Sequence, residues 1–428
     1  RDAYDKLLQT RGRGTAPLAI DALQSRIEIP GMEEEQALYV ILDLVPRPDL
    51  GDARRKLNLA IVIDRSTSMR EDRMQSVKAA AMDVIDALTP ADRLAVVAFS
   101  DRAEVIIASE LVENKTQFRS ALMSIVPGGG TELYQGLSTA ISQVRAHVAE
   151  DTISHVLLLT DGRTYGDEKL ALAAAARVWA DGIGISTFGI GEDWNDVFLD
   201  DLARQGGGTS HYIDTPGKVR DALRNQVKNL GALVLHEASA QISTAQGVRL
   251  MESYRAAPYM EILQPDAAGG LALGGLSAGV TVVLALKFAI ALTGTGPHRI
   301  ARVTVEGDDM VKGAPAALWH DVWVTLRDDP AVFAVPPRLF SIMSRLSVYS
   351  LQERAWRALE DGSKEQAAVD LESAATQLFD LGYHELGEAA MLEVDRISRG
   401  TPPSSKGRKQ LRYGTRVLGD TPSGDTPS

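Results

Sequence analysis

The sequence predicts an α/β chain in which a doubly wound, mostly parallel sheet is set between β-rich flanks and followed by helices. Three observations predict it. The apolar run Leu57 to Ile63 (Leu-Asn-Leu-Ala-Ile-Val-Ile) is short and bounded by polar residues, as expected of a parallel strand buried on both faces. It stops on Asp64-Arg65-Ser66-Thr67-Ser68, and a second such run, Val156 to Thr160, stops on Asp161. Strand-like and helix-like segments then alternate along the chain, which implies parallel strands joined by crossover helices.

Taken in order, residues 72–88 have helical period, 93–100 (Arg-Leu-Ala-Val-Val-Ala-Phe-Ser) read as a buried strand, and 131–148 are helical again. Residues 183–190 read as a further strand, and 218–230 as the closing helix. A strand that ends on Asp-x-Ser-x-Ser sets one carboxylate and two hydroxyls in the loop at its carboxyl end, where open α/β sheets bind ligands. These are hard oxygen donors, suited to Mg²⁺ or Mn²⁺ and poorly suited to zinc. Between the two strand-end aspartates, Thr131 follows the run Pro127-Gly128-Gly129-Gly130.

Asp64, Ser66, Ser68, Thr131 and Asp161 together resemble the metal-ion-dependent adhesion site (MIDAS) of von Willebrand factor A (VWA) domains. The resemblance spans roughly residues 56–229 and includes the Thr-x-x-x-x-Gly opening of a helix at Thr131 to Gly136. It implies a Rossmann-like domain in which Ser66, Ser68 and Thr131 bind the cation through their hydroxyls, directly or through water. Asp64 and Asp161 would act through water or by holding those hydroxyls. It further implies that a Glu or Asp of a partner protein completes the shell, making a carboxylate clamp and not a catalyst. In integrin-like relatives, movement of the closing helix couples the metal site to the adjoining domain. One departure is Thr67, where many members have Gly between the two serines; a stiffer loop is the expected effect.

The flanks have a different texture. Residues 23–29 and 36–44 alternate like strands, as do stretches of 233–263, 279–305 and 319–325, divided by Gly and Pro turns. β material on both sides suggests that the A-type domain is inserted into a β-sandwich. That arrangement resembles bacterial proteins described as calcium-activated chloride channel-like and, distantly, the inter-α-trypsin inhibitor heavy chains. Residues 337–397 turn helical, with Asp361-Gly362 and Gly382 as turns and Leu371, Ala374, Ala375 and Leu378 on one face of a three-helix bundle. The expected order is sandwich strands in 1–55, the A-type domain in 56–230, sandwich again in 231–335, the bundle in 336–399 and a disordered tail in 400–428. The tail holds a basic stretch around Thr415, read as a solvated linker, with Thr415 as a phosphoacceptor for an Arg-bearing phosphopeptide reader as the alternative, and a repeated Gly-Asp-Thr-Pro-Ser.

Several other chemistries are set aside. Gly275-Leu276-Ser277-Ala278-Gly279 has the hydrolase pattern Gly-x-Ser-x-Gly but precedes a β-branched run, not a helix. Residues 271–292 are apolar, yet Lys287 and the glycines argue for a sandwich strand over a membrane span. No Walker-type phosphate loop exists, and seven scattered histidines with no His-x-x-x-His pair do not suggest a zinc enzyme. Glu192 and Trp194 fall on a loop at the carboxyl edge of the sheet, where they either rim the metal site or simply pack. A net charge of −12 makes a nucleic-acid backbone an improbable partner. With no cysteine there is no disulfide or thiol chemistry; this fits a cytoplasmic protein, with secretion or cell-surface display as the alternative if a leader has been removed.

The leading expectation is therefore a non-enzymatic, Mg²⁺-dependent protein-binding module. The alternatives are a metal-indifferent signalling scaffold acting through bundle and tail, and a VWA subunit that recruits an ATPase.

Overall fold

The structure, a computed structural model, describes residues 16–47, 54–69, 72–162, 164, 166–192, 194–331 and 334–418. The chain begins with β1 (Leu18–Gln24), β2 (Glu28–Pro30) and β3 (Met32–Pro46). An α/β segment follows: β4 (Lys56–Asp64), α1 (Asp72–Ala87), β5 (Arg93–Phe99), β6 (Ala103–Leu111), α2 (Lys115–Met123) and α3 (Leu133–Arg145). It continues with β7 (Thr152–Thr160), α4 (Glu168–Ala180), β8 (Ile183–Ile190), α5 (Asp196–Gln205), β9 (Gly207–Ile213) and α6 (Val219–Gly231). Strands return as β10 (Leu233–Thr244), β11 (Val248–Ala257), β12 (Glu261–Ile262), β13 (Gly270–Ser277), β14 (Val282–Leu292), β15 (Gly296–Asp309) and β16 (Ala314–Arg327). Four helices close the described chain: α7 (Pro337–Glu360), α8 (Lys364–Asp380), α9 (His384–Ser398) and α10 (Ser405–Arg416).

The chain divides into two compact units. One is built on a six-stranded sheet of order β6-β5-β4-β7-β8-β9, in which only β6 runs antiparallel to its neighbour. Helices cover both faces, so the central strands have no wet side, and every residue of β4 from Leu57 to Asp64 is buried. The helices are amphipathic in the matching way. In α1 the buried positions Met74, Val77, Ala80, Ala81, Val84 and Ile85 recur at three- and four-residue spacing. From β4 the order runs one way to β5 and the other way to β7. The switch point therefore lies between the carboxyl ends of β4 and β7, which carry Asp64 and Asp161.

The other unit is a sandwich of two five-stranded sheets, β1-β3-β14-β11-β12 and β13-β10-β15-β16-β2. Strands from before and after the α/β segment pair directly: β3 is antiparallel to β14, with Leu42 opposite Leu284, and β2 is parallel to β16. Side chains of both sheets, among them Leu42, Leu284, Leu286, Val303 and Val324, form one apolar core. The outer face of the first sheet is also covered. Ile41, Tyr254, Val283 and Ala285 pack against Leu339, Ile342, Leu346 and Tyr349 of α7 and Leu378 of α8. Burial on both faces explains the unbroken apolar run of β14, and the exception, Lys287, pairs with Glu252 at 2.7 Å. Ser277 ends strand β13, not a strand-to-helix elbow. Among the described residues no helix is long and apolar enough to cross a membrane.

The helices depart from expectation at the C-terminal end. Asp361-Gly362 and Gly382 lie in the turns of α7–α8–α9, and Leu371, Ala374, Ala375 and Leu378 are buried. The segment expected to be disordered from residue 400 instead forms α10. The Ser404 hydroxyl accepts from Gly407 N at 2.9 Å as an N-cap, and Glu393 of α9 accepts from both the backbone N (2.8 Å) and the hydroxyl (2.5 Å) of Ser404. Gly407, Lys409, Leu411, Tyr413 and Thr415 are buried, Met260 N donates to Arg416 O at 2.7 Å, and Arg345 donates to Leu418 O at 2.7 Å. Basic composition misled because the carboxylates that answer it stand on other helices. Thr415 is fully buried, with its hydroxyl 3.3 Å from Arg412 O, so the folded chain does not present it to a kinase or a phosphopeptide reader. The Gly-Asp-Thr-Pro-Ser repeat lies outside the described residues.

Candidate metal centre

Asp64 is the last residue of β4 and is completely buried. Its Oδ1 accepts from Ser66 N at 2.8 Å, a turn that folds the loop back over the strand end, and its Oδ2 accepts from the Thr160 hydroxyl of β7 at 2.6 Å. Ser66 and Ser68 hydroxyls are 2.9 Å apart, and the Ser68 hydroxyl donates to Asp161 Oδ1 at 2.7 Å. A chain of hydrogen bonds thus joins the two strand-end carboxylates through the two serines. Asp161 is also fully buried, and its Oδ2 receives Arg73 Nη1 of α1 at 2.5 Å.

The glycine-rich loop is stitched to this one. Thr67 uses both its backbone N (3.1 Å) and its hydroxyl (3.0 Å) on Gly129 O, while Gly128 N donates to Arg65 O at 2.6 Å. The residue that departs from the usual glycine therefore adds a side-chain tie and stiffens the loop. Gly129 has φ +95°, and a Cβ there would sit 2.7 Å from Asp101 Oδ2, so only glycine fits. At Gly136 a Cβ would meet the Phe99 ring at 2.7 Å, which is how the start of α3 comes close to β5. Thr131 is held by its own carbonyl, which accepts from the Thr164 hydroxyl at 3.3 Å. The same hydroxyl proton is shared with Asp167, which also accepts Tyr134 N at 2.6 Å. At Gly162 a Cβ would lie 3.3 Å from Thr131 Oγ1 and 3.6 Å from Asp64 Oδ2. Glycine leaves that gap between hydroxyl and carboxylate open.

All five residues picked from the sequence therefore meet at the switch point, with the carboxylates below and the Ser68 and Thr131 hydroxyls nearer solvent. Thr160, Thr164, Asp167 and Arg73 join the cluster without belonging to the sequence motif. Thr160 could have been suspected from its place beside Asp161; nothing in the sequence ties Arg73 to the site. Trp194 does not rim it: the ring is buried over Gly189, and its Nε1 donates to Gly191 O at 2.9 Å.

The electrostatics favour a cation. Burial pushes the Asp64 carboxyl up to about 6; hydrogen bonds from Thr160 and Ser66 oppose the rise, and the neighbouring Asp161 charge adds to it. Two buried carboxylates face one arginine, so the cluster is short of positive charge. Among the described residues no group of three or more His, Asp or Glu is placed to hold an ion, so an ion here would depend on hydroxyls. The donor set, all oxygen and mostly neutral, fits a hard divalent cation.

A sheet of this order with this cluster at its switch point defines a VWA domain. Residues 58–225 match the von Willebrand factor type A domain family. Residues 337–421 match the Sll0103-like C-terminal alpha-helical domain. The chain is similar to the uncharacterised protein sll0103 of Synechocystis, at 27% identity over 88% of this chain and 91% of that one. It is also similar to human inter-alpha-trypsin inhibitor heavy chain H4, at 29% identity over 36% of this chain but only 18% of the relative. The von Willebrand factor type A structure from Catenulispora acidiphila covers 96% of this chain and 99% of its own, with TM-score 0.74 and 18% identity, a likeness of fold. Domains of this family are generally interaction modules and commonly bind a divalent metal.

Proposed function

We propose that this protein is a non-enzymatic, metal-ion-dependent interaction module. Ser66, Ser68 and Thr131 would hold Mg²⁺ or Mn²⁺, with Asp64 and Asp161 orienting the hydroxyls from below. When bound, the cation would supply an electrophilic position for a Glu or Asp carboxylate of a partner protein. The chain's own residues keep the hydroxyls in place: Asp161 holds Ser68, the Asp64 carboxylate folds the Ser66 loop, and Thr164 holds the Thr131 backbone.

The observation that carries this reading is the hydrogen-bonded chain Asp64–Ser66–Ser68–Asp161 at the switch point. The scaffold alternative loses its phosphoacceptor, since Thr415 is buried. The test is a pull-down from native-host lysate in Mg²⁺ and in EDTA, with Asp161→Ala beside wild type and Mn²⁺ titrated calorimetrically into both. A partner and a heat of binding lost together in the variant are expected. A partner retained in EDTA and by Asp161→Ala would refute the clamp.

A further inference from the structure

Each carboxylate oxygen of Asp161 accepts a hydrogen bond, and one of the two partners is unlike the other. Its Oδ1 takes the Ser68 hydroxyl, but its Oδ2 takes a full positive charge, Arg73 Nη1 at 2.5 Å. A carboxylate with no exposure needs a counter-charge, and losing one is expensive. Arg73 supplies it from the first turn of α1, the helix that follows the serine loop. The arginine side chain keeps 32% exposure, so it is not sealed in with its partner. Its path passes Gly191, where a Cβ would come within 3.2 Å of Nη2. Arginine does not lose its proton at any ordinary pH, so this charge is permanent.

We infer that Arg73 is an internal counter-cation of the metal centre: it offsets the charge of Asp161 when no metal is bound and lowers the affinity of the site for divalent ions. The inference rests on the metal-centre reading above. A divalent ion held by the neighbouring hydroxyls must either tolerate a like charge one carboxylate away or displace the guanidinium from Asp161 Oδ2. Both weaken binding in a partly buried site, where charges are poorly screened. The chain would then bind its cation, and with it any carboxylate partner, only at high free-ion levels.

The experiment compares Mn²⁺ affinity by titration calorimetry and by electron paramagnetic resonance for wild type, Arg73→Gln and Arg73→Lys. Melting in EDTA and in Mn²⁺ is measured on the same proteins. Expected is binding at least about tenfold tighter in Arg73→Gln and within about threefold of wild type in Arg73→Lys. Arg73→Gln should also melt lower in EDTA and recover with Mn²⁺. Unchanged or weaker Mn²⁺ binding in folded Arg73→Gln would overturn the inference, leaving Arg73 a structural partner of Asp161. Absence of binding by wild type and Arg73→Gln alike, at millimolar Mn²⁺ with native circular dichroism, would instead overturn the metal-centre reading and this inference with it. Should Arg73→Gln fail to fold, Arg73→Met, long and uncharged, takes its place.

Discussion

Acidification should loosen the α/β unit through His211. Its Nε2 is 2.9 Å from the Thr209 hydroxyl, which bonds Gln226 Oε1 of α6 at 3.2 Å; Gln226 Nε2 donates to Ser186 Oγ at 3.0 Å. Ser186 is also 2.9 Å from His155 Nε2, and the His211 ring stacks on Phe188 with centroids 4.8 Å apart. Burial lowers the His211 imidazole from 6.5 to about 4, while Gln226 holds it up slightly. For a histidine depressed in the folded state, the stability it confers is complete above the unfolded value. It is lost as pH falls from about 6.5 to about 4, because the unfolded chain takes up the proton first. The full window is worth at most about 3 kcal/mol, and the part between pH 7 and pH 5 about 2 kcal/mol. The residue is half-buried, so the expected loss between pH 7 and 5 is about 1–2 kcal/mol. The assay is an NMR titration of His-labelled protein in EDTA, with His211→Gln identifying the resonance, alongside denaturant unfolding at both pH values. A His211 midpoint near 6.5, or identical pH dependence in wild type and His211→Gln, would refute the reasoning.

Two further outcomes follow from single contacts. Gly129→Ala forces a side chain into a positive-φ position against Asp101 and should cost about 2 kcal/mol, lowering the unit's melting temperature by about 4–8 °C; calorimetry checks it. Thr415→Glu places a charge in the interior of the C-terminal helices and should cost about 3 kcal/mol or more in denaturant unfolding, whereas Thr415→Ser stays close to wild type; equal stability of the two would show that Thr415 is not buried.

The α/β unit was legible because its strands are buried on both faces and so write themselves as unbroken apolar runs, each ending on the residue that matters. Asp64 and Asp161 could be found from the run before them, and Thr131 from the glycines that let its loop approach Ser100 and Asp101. Insertion into a sandwich could be expected from β-like sequence on both flanks, but not which strands would meet, since β3 and β14 carry no mark of one another. Arg73 was invisible for the same reason: its partner is supplied by folding, not by spacing. In α10 composition pointed the wrong way, because a basic helix reads as solvated until the Glu393 that caps it is in place.

The pairing of Leu42 with Leu284 also orders events during synthesis. When β1, β2 and β3 leave the ribosome, β14 does not yet exist, and all of β4 to α6 must be made before it does. Through that interval β3 carries an unpaired edge and an uncovered apolar face, the combination that invites strand addition from another chain. The α/β unit has a core of its own and its two ends meet, Arg55 N donating to Gly231 O at 3.0 Å, so once folded it brings the two halves of the sandwich within reach. A lesion that slows that unit would therefore be felt first elsewhere, as aggregation through β3 in nascent chains whose Asp64–Asp161 cluster had never formed.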